Sequence, residues 1–192
     1  MELREIKLIT LGNSKVGKSS FILRYTDNEF SIQIPTTIGI DYKYKFETLD
    51  SGERVKIYIF DTNGQERFRA ISKNMIKNAN GVLLLYDITD RESFTSVAEW
   101  MQSIYNEKDK NFPIVLIGNK IDREDDRVIT KNEGEAEAKR YNIDYFEISC
   151  KNNINIRDPI MNLISKISEA NDTKGVQLKP LGKQKNKKKC CK

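Results

Sequence analysis

The chain has 192 residues, 38% of them apolar, enough to bury one sizeable core and form one domain. Its net charge of +5 is uneven: residues 175–192 hold seven lysines and no acid, so residues 1–174 carry −2 and the basicity belongs to a tail. That partition argues against a nucleic-acid binder with a basic face, and the absence of histidine removes serine-histidine and cysteine-histidine nucleophiles and histidine metal sites.

The three cysteines, Cys150, Cys190 and Cys191, give neither a disulfide framework nor metal-ligand spacing, which implies a reducing compartment. No stretch reaches 18 apolar residues, and Met1–Lys7 is charged where a secretory signal would be apolar, so a protein that starts soluble is expected.

In chain order, a first strand at Ile6–Leu11 runs into Gly12-Asn13-Ser14-Lys15-Val16-Gly17-Lys18-Ser19 and then a helix at Lys18–Thr26. Strand, glycine loop and helix in that order are what a phosphate-binding loop needs, because its backbone N–H groups and the helix N-terminus converge on one anion. Gly12 and Gly17 permit the backbone angles, Lys18 reaches the outer phosphates, and Ser19 is placed to ligate Mg²⁺. A plain glycine turn with a surface lysine leaves the flanking strand and helix unexplained.

Strands follow at Ile40–Leu49 and Val55–Phe60, joined by Asp50-Ser51-Gly52-Glu53, too short for a crossover and therefore a hairpin. A short helix at Ile71–Asn78 precedes a strand at Val82–Tyr86 and a helix at Ser93–Glu107. A strand at Ile114–Gly118 leads to a helix at Thr130–Tyr141, where Thr130 and Glu133 spell a capping box. A strand at Tyr145–Ile148 leads to a helix at Pro159–Ala170, with Pro159 suited to a first turn. The expected fold is α/β: six strands in a mostly parallel sheet with one antiparallel strand, and five helices on both faces. The domain spans residues 1–170, and Asn171–Lys192 reads as a polar, disordered extension.

Sheets of this kind bind ligands at the carboxyl ends of their strands. There stand Asp61-Thr62-Asn63-Gly64-Gln65-Glu66, Asn119-Lys120-Ile121-Asp122 and Ser149-Cys150-Lys151. Each is weak alone; in order, at three strand ends, they reinforce one another.

With these motifs the chain, over about Ile6–Ala170, resembles the small GTPases of the Ras superfamily, which have the P-loop GTPase fold, and within it the Rab family. The narrower likeness rests on Ile38-Gly39-Ile40-Asp41-Tyr42, Arg67-Phe68-Arg69-Ala70-Ile71, Tyr86-Asp87-Ile88-Thr89 and the terminal cysteine pair. The resemblance implies a GTP hydrolase that cycles between GTP and GDP, slow without an activating protein. Ser14, Lys15, Val16, Gly17, Lys18, Ser19 and Ser20 would surround the phosphates. Asn119 and Asp122 would read guanine, Lys120 would pack along base and sugar, and Ser149, Cys150 and Lys151 would add backbone contacts. Phe30 would stand near the base, although a core position fits it as well. Ser19, Thr37 and Asp61 would hold Mg²⁺, Asp61 through a water; Thr36 is the alternative to Thr37 and reads as a strand-entry residue. Thr37 and Gly64 would sense the γ-phosphate, and Gln65 would orient the attacking water, with Lys18 as the other catalytic residue.

The resemblance also implies an exchange factor, a GTPase-activating protein, a prenylation escort, a GDP-dissociation inhibitor and effectors as partners, and no nucleic acid. The protein would sit on the cytoplasmic face of an intracellular membrane, with a cytosolic pool, as a regulator of vesicle traffic. Cys190 and Cys191, behind Lys183, Lys185 and Lys187–Lys189, would be geranylgeranylated; a four-residue prenylation box is ruled out because its cysteine would fall at Lys189. An unmodified, solvated tail is the alternative.

The chain departs from its relatives at several places. Phe60 replaces a tryptophan, Asn63 an alanine and Lys15 a glycine, Met75-Ile76-Lys77-Asn78-Ala79 differs throughout, and Lys192 trails the cysteines. Tyr42, Phe60 and Met75 would form an altered apolar triad for effectors. Two other classes stay open: a nucleotide holder that scarcely hydrolyses, and an ATP-using kinase or nucleic-acid-binding P-loop protein, which Asp122 opposes.

Overall fold

The computed structural model describes residues 3–31, 40–62 and 69–175. Its strands are β1 (Arg4–Leu11), β2 (Ile40–Thr48), β3 (Arg54–Thr62), β4 (Gly81–Asp87), β5 (Ile114–Asn119) and β6 (Asp144–Ile148). Its helices are α1 (Lys18–Asp27), α2 (Arg69–Asn78), α3 (Arg91–Thr95), α4 (Val97–Tyr105), α5 (Lys131–Tyr141) and α6 (Asp158–Gly175), with a short 3-10 segment at Ile121–Asp126.

The strands form one sheet in the order β2-β3-β1-β4-β5-β6. Only β2 runs antiparallel, paired to β3 from Ile40 opposite Thr62 to Thr48 opposite Arg54. The tight connection follows from Gly52, whose φ of +81° lets its N–H reach the Leu49 carbonyl at 2.8 Å. The central strands are apolar on both faces because helices cover both. Ile6, Leu8, Leu83, Leu85, Val115 and Ile117 pack with Phe21 and Ile22 of α1 and Leu163 and Ile164 of α6. On the other face Ile9, Leu11, Leu84 and Leu116 meet Ile76 of α2, Ala138 of α5, and Val97, Trp100, Met101 and Ile104 of α4. Those four recur at the three-and-four spacing of one helix face.

Three expectations change. The single helix at Ser93–Glu107 is two, α3 starting at Arg91 and α4 ending at Tyr105, with Ser96 between them. There the Thr95 and Ser96 hydroxyls donate back to the Arg91 and Glu92 carbonyls at 2.9 Å, which competes with the helical ladder. The 3-10 segment after β5 was not expected. Finally, α6 continues to Gly175, so residues 171–175, assigned to the tail, are helical; no Pro or Gly lies between Ala170 and Gly175 to stop it.

Candidate functional site

β1 hands the chain to a loop that only glycine permits at two points. Gly12 has φ +133°, and a Cβ there would lie 2.1 Å from the Leu85 carbonyl oxygen. Gly17, at φ +98°, forms the N-cap of α1, and its Cβ would lie 2.3 Å from Asn119 Nδ2. Lys15 adopts the left-handed region at φ +66°, so the chain accommodates this departure without a glycine. Ser14 and Lys15 are exposed, Val16 is buried, and Ser20 is half-buried in the first turn of α1.

The loop curls around its own lysine. Lys18 Nζ donates to the Gly12 carbonyl at 2.9 Å and the Asn13 carbonyl at 2.7 Å. Burial lowers its pKa to about 8, with the charge of Asp61 opposing. Beside it, Ser19 Oγ donates to Asp61 Oδ2 at 2.5 Å, joining the start of α1 to the end of β3. A hydroxyl and a carboxylate are hard oxygen donors, and a small oxygen set completed by phosphates and water is what Mg²⁺ takes. These residues fit the ion.

The second half of the site is tied to the first. Asn119 is buried at the end of β5 and donates from Nδ2 to the Val16 carbonyl at 2.9 Å. Its Oδ1 accepts from the Lys120 N–H at 2.7 Å and from the Cys150 thiol at 3.4 Å. Asp122 accepts from Ser149 Oγ at 2.6 Å, and Ser149 Oγ accepts from the Asn152 N–H at 2.9 Å. Burial pushes the Cys150 thiol up to about 12, so it stays protonated and is no nucleophile. Lys151 is exposed. Phe30 is half-buried and packs against the core beside α1.

Lys18, Ser19, Asp61, Asn119, Lys120, Asp122 and Ser149–Lys151 thus share one rim of the sheet. Thr37, Gly64, Gln65, Cys190 and Cys191 lie outside the described residues. Of the triad, Tyr42 is exposed and its ring centroid lies 5.6 Å from that of Phe60, while Phe60 and Met75 are half-buried.

Three contributors are not among the site residues expected from the motifs. Asp87 ends β4 and lies 2.6 Å from Lys120 Nζ; its signal was available, since β4 is a further strand ending at this rim. Asn13 accepts from Trp100 Nε1 at 3.0 Å and donates to Ser96 Oγ at 2.9 Å, fastening the Gly12–Ser19 loop to α4. Arg24 reaches from α1 to the carbonyls of Cys150 and Lys151. Acceptors that are backbone carbonyls leave no mark in a sequence.

A Ras family profile matches residues 7–169. The chain is 39% identical to the Ras-related protein RABE1d of Arabidopsis thaliana over 178 residues, 92% of this chain and 82% of that one. It is 40% identical to the Ras-related protein Rab-3C of Bos taurus over 171 residues, covering 87% and 75%. It is 38% identical to the GTP-binding protein ypt2 of Schizosaccharomyces pombe over 195 aligned positions, covering 97% and 96%.

Proposed function

Because the chain belongs to the Ras family and, within it, to the Rab-type small GTPases, we propose that the Gly12–Ser19 loop holds the phosphates of a guanine nucleotide while Asn119, Asp122 and Ser149–Lys151 read its base. Family members hydrolyse GTP to GDP and phosphate, and this chain is a GTPase of that kind. The observation that carries the site reading is the bond from Asn119 to the Val16 carbonyl, which fixes the phosphate loop and the base loop as one unit.

The chemistry follows from the groups present. The Asp122 carboxylate accepts from the N1–H and exocyclic amine of guanine, whereas adenine presents an acceptor at N1 and leaves the charge unpaired. Lys18 exchanges the Gly12 and Asn13 carbonyls for outer phosphate oxygens, regaining a counter-charge inside a buried loop. Ser19 and Asp61, with Thr37, would hold Mg²⁺, which would supply positive charge to offset that of the phosphates. Gln65 orients the attacking water, and the N–H groups of Thr37 and Gly64 sense the γ-phosphate, so its loss releases two segments together. Turnover is slow alone; an activating protein raises it by about 10³- to 10⁵-fold, the range known for Ras-type GTPases.

In the cell the protein acts in vesicle traffic, recruiting effectors while GTP is bound. Exchange factor, activating protein, prenylation escort and GDP-dissociation inhibitor act on it in turn. Among the described residues no helix is long and apolar enough to cross a membrane. Attachment to an intracellular membrane runs through prenyl chains on Cys190 and Cys191, helped by the lysine cluster: one chain binds marginally, and two chains or a chain with basic residues hold.

Nucleotide released from denatured protein and separated by chromatography should be GDP or GTP. Single-turnover hydrolysis should fall in Gln65→Leu. Recovery of ADP, or an unchanged rate in the variant, would contradict the assignment.

A further inference from the structure

The helix that opens at the phosphate loop ends beside the base loop. Arg24 stands roughly 9 Å along α1 from Lys18, at about 1.5 Å per residue. From there it spreads its planar fork over three carbonyls: Nε donates to Cys150 at 2.8 Å, Nη2 to Lys151 at 3.2 Å, and Nη1 to Asn28 at 2.8 Å. Its guanidinium carbon also lies 5.8 Å from the centre of the Phe30 ring.

The Lys151 carbonyl shares a rigid plane with the Asn152 N–H, which points the opposite way. That N–H donates to Ser149 Oγ at 2.9 Å, and Ser149 Oγ donates to Asp122 Oδ1 at 2.6 Å. Arg24 thus holds one end of a relay whose other end is the carboxylate that faces the base. Asn28 adds a parallel strut, its Oδ1 accepting from Asn153 Nδ2 at 3.1 Å.

We propose that Arg24 is a positioning residue for base recognition: through the Lys151–Asn152 peptide and Ser149 it aligns Asp122, and so sets how long a guanine nucleotide stays bound and how well guanine is distinguished. The proposal rests on the base-reading role given above to Asp122. Lysine replaces the fork only in part, since a point charge with three rotating donors does not match two adjacent carbonyls in fixed geometry.

The test uses the full chain loaded with labelled GDP. Release is measured in the parent, Arg24→Ala, Arg24→Lys and Asp122→Asn, together with affinities for GDP, IDP and xanthosine diphosphate. IDP lacks the exocyclic amine that Asp122 reads. We expect Arg24→Ala to release GDP about tenfold faster, the loss of one charge-assisted hydrogen-bond set. The preference for GDP over IDP should shrink in Arg24→Ala and recover in part in Arg24→Lys. Equal weakening of GDP and IDP would mark a merely structural role and overturn the proposal, as would GDP release at the parent rate. Arg24→Lys carries the test alone if Arg24→Ala does not fold: release at the parent rate and an undiminished preference overturn it. Asp122→Asn should exchange guanine for xanthine; if it does not, the base reading itself fails, and the proposal with it.

Discussion

Lys120 Nζ lies 2.6 Å from Asp87 Oδ2, so the end of β4 holds the lysine of the Asn119–Asp122 motif in place. Asp87 is buried, and its Oδ1 accepts from the Thr89 N–H at 2.9 Å and hydroxyl at 2.8 Å. Lys120 sits in the left-handed region at φ +73°, between strand and 3-10 segment. Asp87→Ala removes the partner of all three donors. Unfolding free energy should fall by about 1–2 kcal/mol in urea denaturation, the cost of leaving three half-buried donors without their carboxylate, and GDP release should quicken several-fold.

Gly12 and Gly17 differ in what an added methyl would strike. At Gly17 it meets the Asn119 side chain, and at Gly12 the backbone oxygen of Leu85, which cannot swing away. Gly17→Ala should cost about 1–3 kcal/mol of stability through backbone strain and should break the Asn119–Val16 bond. Gly12→Ala should cost more. Chemical denaturation paired with GDP affinity separates the two: Gly17→Ala loses affinity out of proportion to its stability.

Gly134 reverses an ordinary rule. Alanine for glycine inside a helix normally gains about 1 kcal/mol. A Cβ at Gly134 would instead lie 2.4 Å from the Tyr145 hydroxyl and 2.6 Å from that of Tyr86. Neither ring is free to move: the two hydroxyls are 2.7 Å apart, Tyr145 donates to Glu147 at 2.9 Å, and Glu147 takes both arms of Arg127 at 2.7 and 3.0 Å. Overpacking of this kind should make Gly134→Ala about 1–3 kcal/mol less stable in thermal or urea unfolding.

The capping box of α5 is sensitive to acid. Arg91 first, and then the Thr130 N–H and hydroxyl, hold the Glu133 carboxyl down at about 2, against an ordinary 4.5. A depressed carboxyl stabilises the fold above its unfolded pKa and stops doing so as pH falls through the folded one. The stability gap between parent and Glu133→Gln should therefore be full at pH 7 and close between pH 4.5 and pH 2. Denaturant midpoints at stepped pH check this, and a gap independent of pH would contradict it.

What could be read from the residues, and what could not, divides by range. The six strands, the hairpin at Gly52 and the Thr130–Glu133 box are local patterns, and each stands where the sequence places it. The motifs after β3, β5 and β6 could be ordered because ligands of a parallel sheet gather at those ends. Arg24 and Cys150 are 126 positions apart, and their bond involves a carbonyl that any residue carries. The break at Ser96 arises from hydroxyls folding back on the helix, which helical periodicity does not register. The run of α6 past Ala170 reflects a polar segment that packing cannot mark but the backbone can continue.

Calorimetric titration of nucleotide-free protein with GDP and with ADP, in Mg²⁺ buffer, asks most directly whether this rim reads guanine. Saturable, tight binding of GDP with little or no heat from ADP at the same concentrations is the outcome expected from Asp122 and the Asn119–Val16 junction. Equal affinities for the two would mean that the rim holds phosphates without recognising the base.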